Sequence, residues 1–419
     1  MLVKKLPEYQ DAPGSPRLLP GLCATLENAT AQNVRRQRLL LHYPAMLSGF
    51  ATPEGTARYR SRFPELSQAG HFRRQGSVPG AGELWISSIG LGTYLGEPTA
   101  EADAAYTQAV RLALASGVNL LDTAINYRHQ RSERNIGAAL REMVSAGELQ
   151  RDEIVVCTKA GYLSFDNEVP PNPGAYFRSE FVDSGILNSA DLAGGMHCMS
   201  PSYLSDQLER SRRNLGLETI DVFDVHNPET QLGEVPRERF GHRLREAFAM
   251  LEEAVKAGKI RYYGVATWNG FRVPPVARDA MSLVGTVEIA RQAGGEQHHL
   301  RFVQLPFSLG MPEAFAYRNQ TWIKEDLSLL EAASRAGVMV VGSATLSQGQ
   351  LTRNLPQFIE KHLGAGSDGA NAIQFARSTP GLAVALVGMG RPEHVREDLE
   401  VASRPPAPPE QWSKLFERE

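Results

Sequence analysis

Between residues 86 and 387, eight short runs rich in β-branched and aliphatic residues alternate with longer amphipathic stretches, and few folds accommodate that rhythm. The runs are 86–92, 118–122, 154–159, 220–226, 261–266, 302–305, 338–343 and 383–387. Parallel strands need a crossover of a dozen or more residues, usually a helix, to return to the same edge of a sheet. Eight such units predict an α/β fold, a closed (β/α)8 TIM barrel. Glycines at Gly117, Gly216, Gly258 and Gly337 stand where a helix ends and the next strand begins. Ser200-Pro201 predicts a helix start with Ser200 as its side-chain cap. Leu244, Phe248, Leu251 and Val255 fall on one helical face.

Three segments do not fit the repeating unit. Residues 1–80 are rich in Arg, Pro and Gly without a sustained period and predict an extension that covers the barrel bottom. Residues 81–403 are the barrel itself. Beyond them, the proline-rich run beginning at Arg404 predicts the end of the packed domain and a tail over 404–419. Inside the barrel, 160–200 is a long loop insertion after the third strand, and long loops on a barrel rim usually bind something. Its aromatics Tyr162, Phe165, Tyr176, Phe177 and Phe181 are expected to wall a substrate pocket, with Phe165 the one more suited to pinning the loop.

Charge and cysteine content exclude several partner classes. The net charge of -3, from 44 basic and 47 acidic residues spread along the chain, provides no basic stripe for nucleic acid. No stretch of about 18 apolar residues suits a membrane span, and the N-terminus lacks the apolar core of a signal peptide. Cys23, Cys157 and Cys198 are odd in number and lack paired spacing, which fits a reducing cytoplasm. His197-Cys198, Asp191 and His298-His299 share no metal-ligand interval. The remaining expectation is a small, neutral or mildly anionic partner.

Three of the apolar runs stop at an ionisable residue: Asp122, Lys159 and His226, with Tyr127 close behind the first. In a parallel barrel the strand C-termini open on one rim, so these four groups should share a pocket suited to proton transfer. Gly90, Gly92 and Gly96 superficially suggest a dinucleotide fingerprint, but Glu97-Pro98 intervenes before any helix, and eight units are too many for half a doubly wound sheet.

Asp122-Thr123-Ala124 with Tyr127 and Ser132-Glu133, followed by Lys159 and His226 at the next two strand ends, resembles the aldo-keto reductase family. The resemblance runs from about residue 86 to 401. It implies a barrel that binds NADP(H) extended across the rim and reduces aldehydes or ketones. Carbonyl reduction places negative charge on an oxygen, which requires a proton donor there. A free tyrosine, with a pKa of about 10, donates only reluctantly unless a cation stabilises its phenolate. Tyr127 is the expected donor, Lys159 that cation, Asp122 the ion pair that holds Lys159, and His226 the group that orients the substrate oxygen or shares the proton.

The same resemblance assigns cofactor contacts. Gly92 and Thr93 lie near the nicotinamide end, and Gln304 matches a carboxamide ligand. Where the family usually carries Ser-Asn after the fifth strand, this chain has Ala266-Thr267-Trp268-Asn269, which leaves Thr267, or Asn269 from the loop, to substitute. Leu346, Gln348 and Gly349 match a pyrophosphate loop, although Ala344-Thr345 replaces its usual Ser-Pro opening and shifts binding to backbone amides. Gly388, Arg391, Glu397 and Asp398 match the adenosine end, with Arg391 at a helix start suited to a 2′-phosphate. Two rival readings are a cofactor-bound regulatory or redox-sensing subunit with little turnover, and a Schiff-base lyase or isomerase working through Lys159.

Overall fold

Eight strands form one closed parallel barrel in the structure, a computed structural model that describes residues 45–417, and the first is shorter than the expected 86–92 because Ile86–Ser87 pairs antiparallel with Phe72–Arg73 instead. Its strands are β1 (Ile89–Gly92), β2 (Leu120–Asp122), β3 (Val155–Ala160), β4 (Ile220–His226), β5 (Ile260–Ala266), β6 (Leu300–Pro306), β7 (Met339–Ser343) and β8 (Leu382–Gly388). Each pairs in parallel with the next, and β8 closes on β1. The principal helices are α1 (Ala100–Ala115), α2 (Arg131–Ser145), α3 (Pro201–Leu215), α4 (Arg237–Lys256), α5 (Leu283–Gly294), α6 (Leu329–Ala336), α7 (Asp368–Ser378) and α8 (Pro392–Leu399). Every residue of β3 and β4 is buried, because helices cover the outer face while the barrel fills its own interior. Gly216 and Gly337 take the left-handed conformation at the ends of α3 and α6, where a side chain would be strained.

Alternation along the strands separates two apolar layers. Val156 and Ala160 of β3 point outward into the large core shared with the helices. Val155 and Cys157 point inward, with Leu120, Val222, Phe302 and Met339. Val78, Ala81 and Leu84 join that inner cluster from outside the barrel. Ala51 N donates to Asp221 Oδ1 at 2.7 Å, near the start of β4. The buried Tyr59 hydroxyl shares its one proton between Leu114 O at 2.6 Å and Val118 O at 2.8 Å, tying helix Pro53–Ser61 to the turn before β2. Residues 45–84 therefore lie across the N-terminal ends of the strands. The part of the expected extension before residue 45 lies outside the described residues, as does Cys23.

Two local expectations need correction. α3 begins at Pro201 as the sequence implied, but Ser200 makes no side-chain capping bond; its Oγ is 3.3 Å from Cys198 Sγ instead. The proline-rich run after Arg404 does not end the packing. Trp412 is buried, its ring stacks on Phe375 of α7 with centroids 5.4 Å apart, and its Nε1 donates to Phe375 O at 3.0 Å. A large aromatic side chain supplies enough burial to draw a short terminal segment onto the wall.

Candidate active site

The chain leaves β2 at Asp122 and stays in register with β3, Thr123 N donating to Cys157 O and Ile125 N to Lys159 O. That register places the Asp122 carboxylate beside the Lys159 ammonium. Lys159 is fully buried, and its Nζ donates to both Asp122 oxygens at 2.8 Å and to Thr123 O at 2.6 Å. Burial alone would pull the lysine pKa down, but Asp122 and then Tyr127 more than reverse this, so Lys159 is held charged above the ordinary lysine range.

Tyr127 sits over this pair, its ring centroid 5.2 Å from Lys159 Nζ. Burial pushes its hydroxyl up to about 12; Lys159 opposes that rise, while Asp122 adds to it. The Tyr127 ring meets His226 edge-on at 5.8 Å and Tyr94 at 5.1 Å. Burial holds His226 well below the usual histidine range, and the Lys159 charge pushes in the same direction, so the imidazole is neutral. All four residues expected to act together are thus gathered at one point of the rim.

The turn that aims Tyr127 is strained. Arg128, His129 and Gln130 are consecutive non-glycine residues with left-handed backbones, at φ 47, 56 and 71, a conformation that costs roughly 1–2 kcal/mol each. Arg128 fixes the turn from within: its guanidinium donates to Asp103 Oδ1 at 2.6 Å, Asn135 Oδ1 at 2.8 Å and Glu97 O at 3.1 Å. Ser132 and Glu133 have supporting roles. Ser132 Oγ donates to Thr93 O, and the buried Glu133 accepts from Thr158 Oγ1 and Asn214 Nδ2, locking α2 against β3 and α3.

The residues expected to hold a cofactor line the rim in strand order. Gly92 is in register with Asp122 on one side and Gly388 on the other, and Thr93 Oγ1 donates to Asp122 O at 3.1 Å. Gln304 Nε2 donates to Asp122 Oδ1 at 2.7 Å, so its amide nitrogen is engaged by the carboxylate that also holds Lys159. Thr267 is buried, its N donates to Gln304 O, and its Oγ1 has no partner among the described residues. Asn269 Nδ2 is bonded to Asp279. Leu346, Gln348 and Gly349 follow β7, in a loop where Ala344, Ser347, Gln348 and Gly349 all have positive φ. Arg391 is exposed and extended just before α8, which carries Glu397 and Asp398. Burial and the neighbouring Glu397 push Asp398 up to about 7.

Two positioning residues escaped the sequence. Glu229, three residues past His226, accepts from the N–H groups of Trp268, Asn269 and Gly270 and so shapes the loop after β5. His197, from the far end of the insertion, lies 2.7 Å from His226 O through Nε2, while Gln231 Nε2 approaches its Nδ1 at 2.9 Å. Because the amide nitrogen can only donate, Nδ1 accepts and Nε2 carries the proton. Tyr162 lies between the two histidines, edge-on to both.

The rest of the insertion corrects the expected aromatic wall. Phe177 and Phe181 are buried; Phe165 stacks on Phe177 at 4.5 Å, and Phe181 packs on Tyr203 of α3. Phe177 and Phe181 line a cleft of about 460 Å³ to which none of Asp122, Tyr127, Lys159 or His226 contributes. Such large rings contribute more by fastening the loop to α3 than they would in solvent.

The chain is similar to several known proteins. Residues 88–280 match the model of the aldo/keto reductase family. Aldose reductase B of Dictyostelium discoideum is 26% identical over 198 residues, covering 44% of this chain and 50% of its own length. The L-glyceraldehyde 3-phosphate reductase of Escherichia coli K12 is 25% identical over 289 residues, 68% of this chain and 66% of its own length. This chain therefore spans half to two thirds of the length of these two curated relatives. Among solved structures, an aldo-keto reductase of Bacillus halodurans in its holo form superposes with a TM-score of 0.55 at 18% identity, covering 82% of this chain and 95% of that one. A Klebsiella pneumoniae aldo/keto reductase in complex with NADP and acetate gives 0.53 at 19% identity, over 80% and 93% of the two chains. At such identities the superpositions establish a shared barrel fold.

Proposed function

We propose that this chain, whose residues 88–280 match the model of the aldo/keto reductase family, reduces an aldehyde or ketone to an alcohol using NADP(H). The observation that carries this reading is the fully buried Lys159, clamped by Asp122 beneath the ring of Tyr127. A bound nicotinamide supplies the hydride that reaches the carbonyl carbon. Tyr127 hydrogen-bonds the carbonyl oxygen and gives it a proton as negative charge develops there. Lys159 stabilises the resulting phenolate until solvent returns the proton. Neutral His226 orients the oxygen from the other side, and Asp122 keeps Lys159 in place.

The cofactor reading rests on unsatisfied polar atoms. Thr123 Oγ1, Asn126 Oδ1, Thr267 Oγ1, Thr345 Oγ1 and His226 Nδ1 are buried without partners among the described residues. Buried polar atoms in that state are costly unless a ligand meets them. Thr267 and Gln304 would hold the nicotinamide end, the 346–349 loop the pyrophosphate, and Arg391 with Glu397 and Asp398 the adenosine end. A Schiff-base role for Lys159 is disfavoured, since its ion pair keeps it protonated and without a nucleophilic lone pair.

The proposed organisation is an N-terminal segment over 1–80 covering the barrel bottom, the barrel over 81–403 and a C-terminal segment over 404–419. The substrate is a small carbonyl compound, with neither nucleic acid nor membrane involved. No helix among the described residues is long and apolar enough to cross a membrane. The free buried thiols of Cys157 and Cys198 suit the proposed reducing, cytoplasmic setting. The test is consumption of NADPH and NADH against a panel of aldehydes and ketones. Cofactor-dependent conversion to the alcohol is expected; binding of cofactor without conversion of any carbonyl would favour the regulatory reading.

A further inference from the structure

One buried charge has no part in the chemistry above. Asp224 lies on β4 two residues before His226, is 2% exposed, and is in register with Lys159 on β3 and Gly264 on β5. Its Oδ1 has no hydrogen-bond partner among the described residues. A Cβ on Gly264 would come within 2.3 Å of that oxygen and 2.4 Å of Phe302 O, so the barrel accommodates this carboxyl only because β5 has a glycine opposite it.

The groups that face Asp224 explain its state. From β3 come Lys159 and the Cys157 thiol, which burial first and then Asp122 and Asp224 push up. From β2 comes Asp122; β5 presents only Gly264, and β6 the backbone oxygen of Phe302. Lys159 is already matched by Asp122 through two 2.8 Å contacts. A second carboxylate is surplus, and a buried surplus charge is relieved by taking up a proton. Burial, with Asp122 adding to it and Lys159 opposing it, pushes Asp224 up to about 7.

Building on the proposed reductase activity, we infer that Asp224 is a positioning residue whose proton, held or released beside Lys159, sets how strongly Lys159 stabilises the Tyr127 phenolate and so sets the pH limb of carbonyl reduction. With the proton in place, the Lys159 charge is offset by Asp122 alone. Once the proton leaves, a second negative charge competes for Lys159 and opposes the phenolate.

The experiment compares the parent protein with Asp224→Asn, whose amide imitates the protonated acid. Reduction of one aldehyde by NADPH is followed from about pH 5 to about pH 9, a window that brackets the titration of a carboxyl near neutrality. In the parent, kcat/KM should fall as pH rises through neutrality, by about tenfold, the equivalent of one unit in the acidity of Tyr127. In the variant that limb should be absent; the same limb in both proteins overturns the inference.

A second reading does not depend on turnover. The folded-state pKa of Asp224 lies above its unfolded value of about 3.9, so the native protein binds the extra proton and loses stability as pH rises from about 4 to about 7. The parent's Tm should therefore fall relative to the variant's across that window and no further. A Tm difference independent of pH overturns the inference. If neither protein reduces any carbonyl, the reductase reading fails by itself, and the Tm difference still decides whether Asp224 exchanges its proton. Should the variant not fold, carbon-13 titration of aspartate-labelled parent protein reads the carboxyls directly, with Asp398→Asn removing the other acid pushed up to about 7. One aspartate still titrating near neutrality after that replacement is expected, and its absence overturns the inference.

Discussion

The lower and upper halves of the barrel interior are built from the same strands and differ in almost everything else. Along β3 the inward positions run Val155, Cys157, Lys159; along β4 they run Val222, Asp224, His226. The lower half is apolar and sealed from outside by Val78, Ala81 and Leu84, so its contribution is packing. The upper half holds charges that water would otherwise solvate, and it is tolerable only because Asp122, Thr123 O and Gln304 arrange partners around Lys159. The polar groups gather where the strands end because loops there supply partners from outside the ladder: Thr123, Tyr127, and Glu229 for the next loop.

The largest effect should come from a change that makes the upper half behave like the lower. Lys159→Met leaves Asp122 buried without its cation, and removing one partner of a buried pair costs about 3–5 kcal/mol. Thermal unfolding should shift down sharply, and NADPH-dependent reduction should be lost in the same protein. Tyr127→Phe separates chemistry from packing. Losing a positioned proton donor should lower kcat by ~10²–10⁴-fold while Tm and the Kd for NADPH, read by Trp fluorescence, stay near the parent values. Turnover within tenfold of the parent would remove Tyr127 from the donor role.

Met339→Ala provides the converse in the lower half. A cavity there should lower stability by about 2–5 kcal/mol, seen in denaturant melts, with kcat/KM at a permissive temperature unchanged. A matching fall in kcat would mean that the two halves are mechanically coupled. Smallest of all, Arg391→Ala should weaken NADPH binding roughly tenfold, about 1.4 kcal/mol, and NADH binding hardly at all. Equal losses for both cofactors would show that Arg391 does not read the 2′-phosphate.

Local sequence carried the strands well, because a fully buried parallel strand must be a short, nearly continuous apolar run whatever its neighbours are. It also exposed Asp122, Lys159 and His226, since an ionisable residue ending such a run is conspicuous. Contacts made across the chain were much harder to see. The aromatics of the insertion look alike in sequence, yet Tyr162 lies against His226 while Phe177 and Phe181 fasten the loop to α3. Nothing local to His197 announced that it would support the backbone of His226. Trp412 follows a proline-rich run that reads as a tail, and only the surface of α7 gives it somewhere to pack.

The order of strands and the residue types at their ends were fixed by composition and period alone, because burial on both faces and the two-residue alternation of a strand are local constraints. Which of those residues touch was decided by barrel closure and register. Register sets Asp122 beside Lys159 and Lys159 beside Asp224, and it brings Gly264 opposite a carboxyl that has no room for a side chain there. A shift of one residue along any strand would turn those groups out of the interior, and the energy that opposes it is spread over the whole ladder and both apolar layers rather than written at any one position.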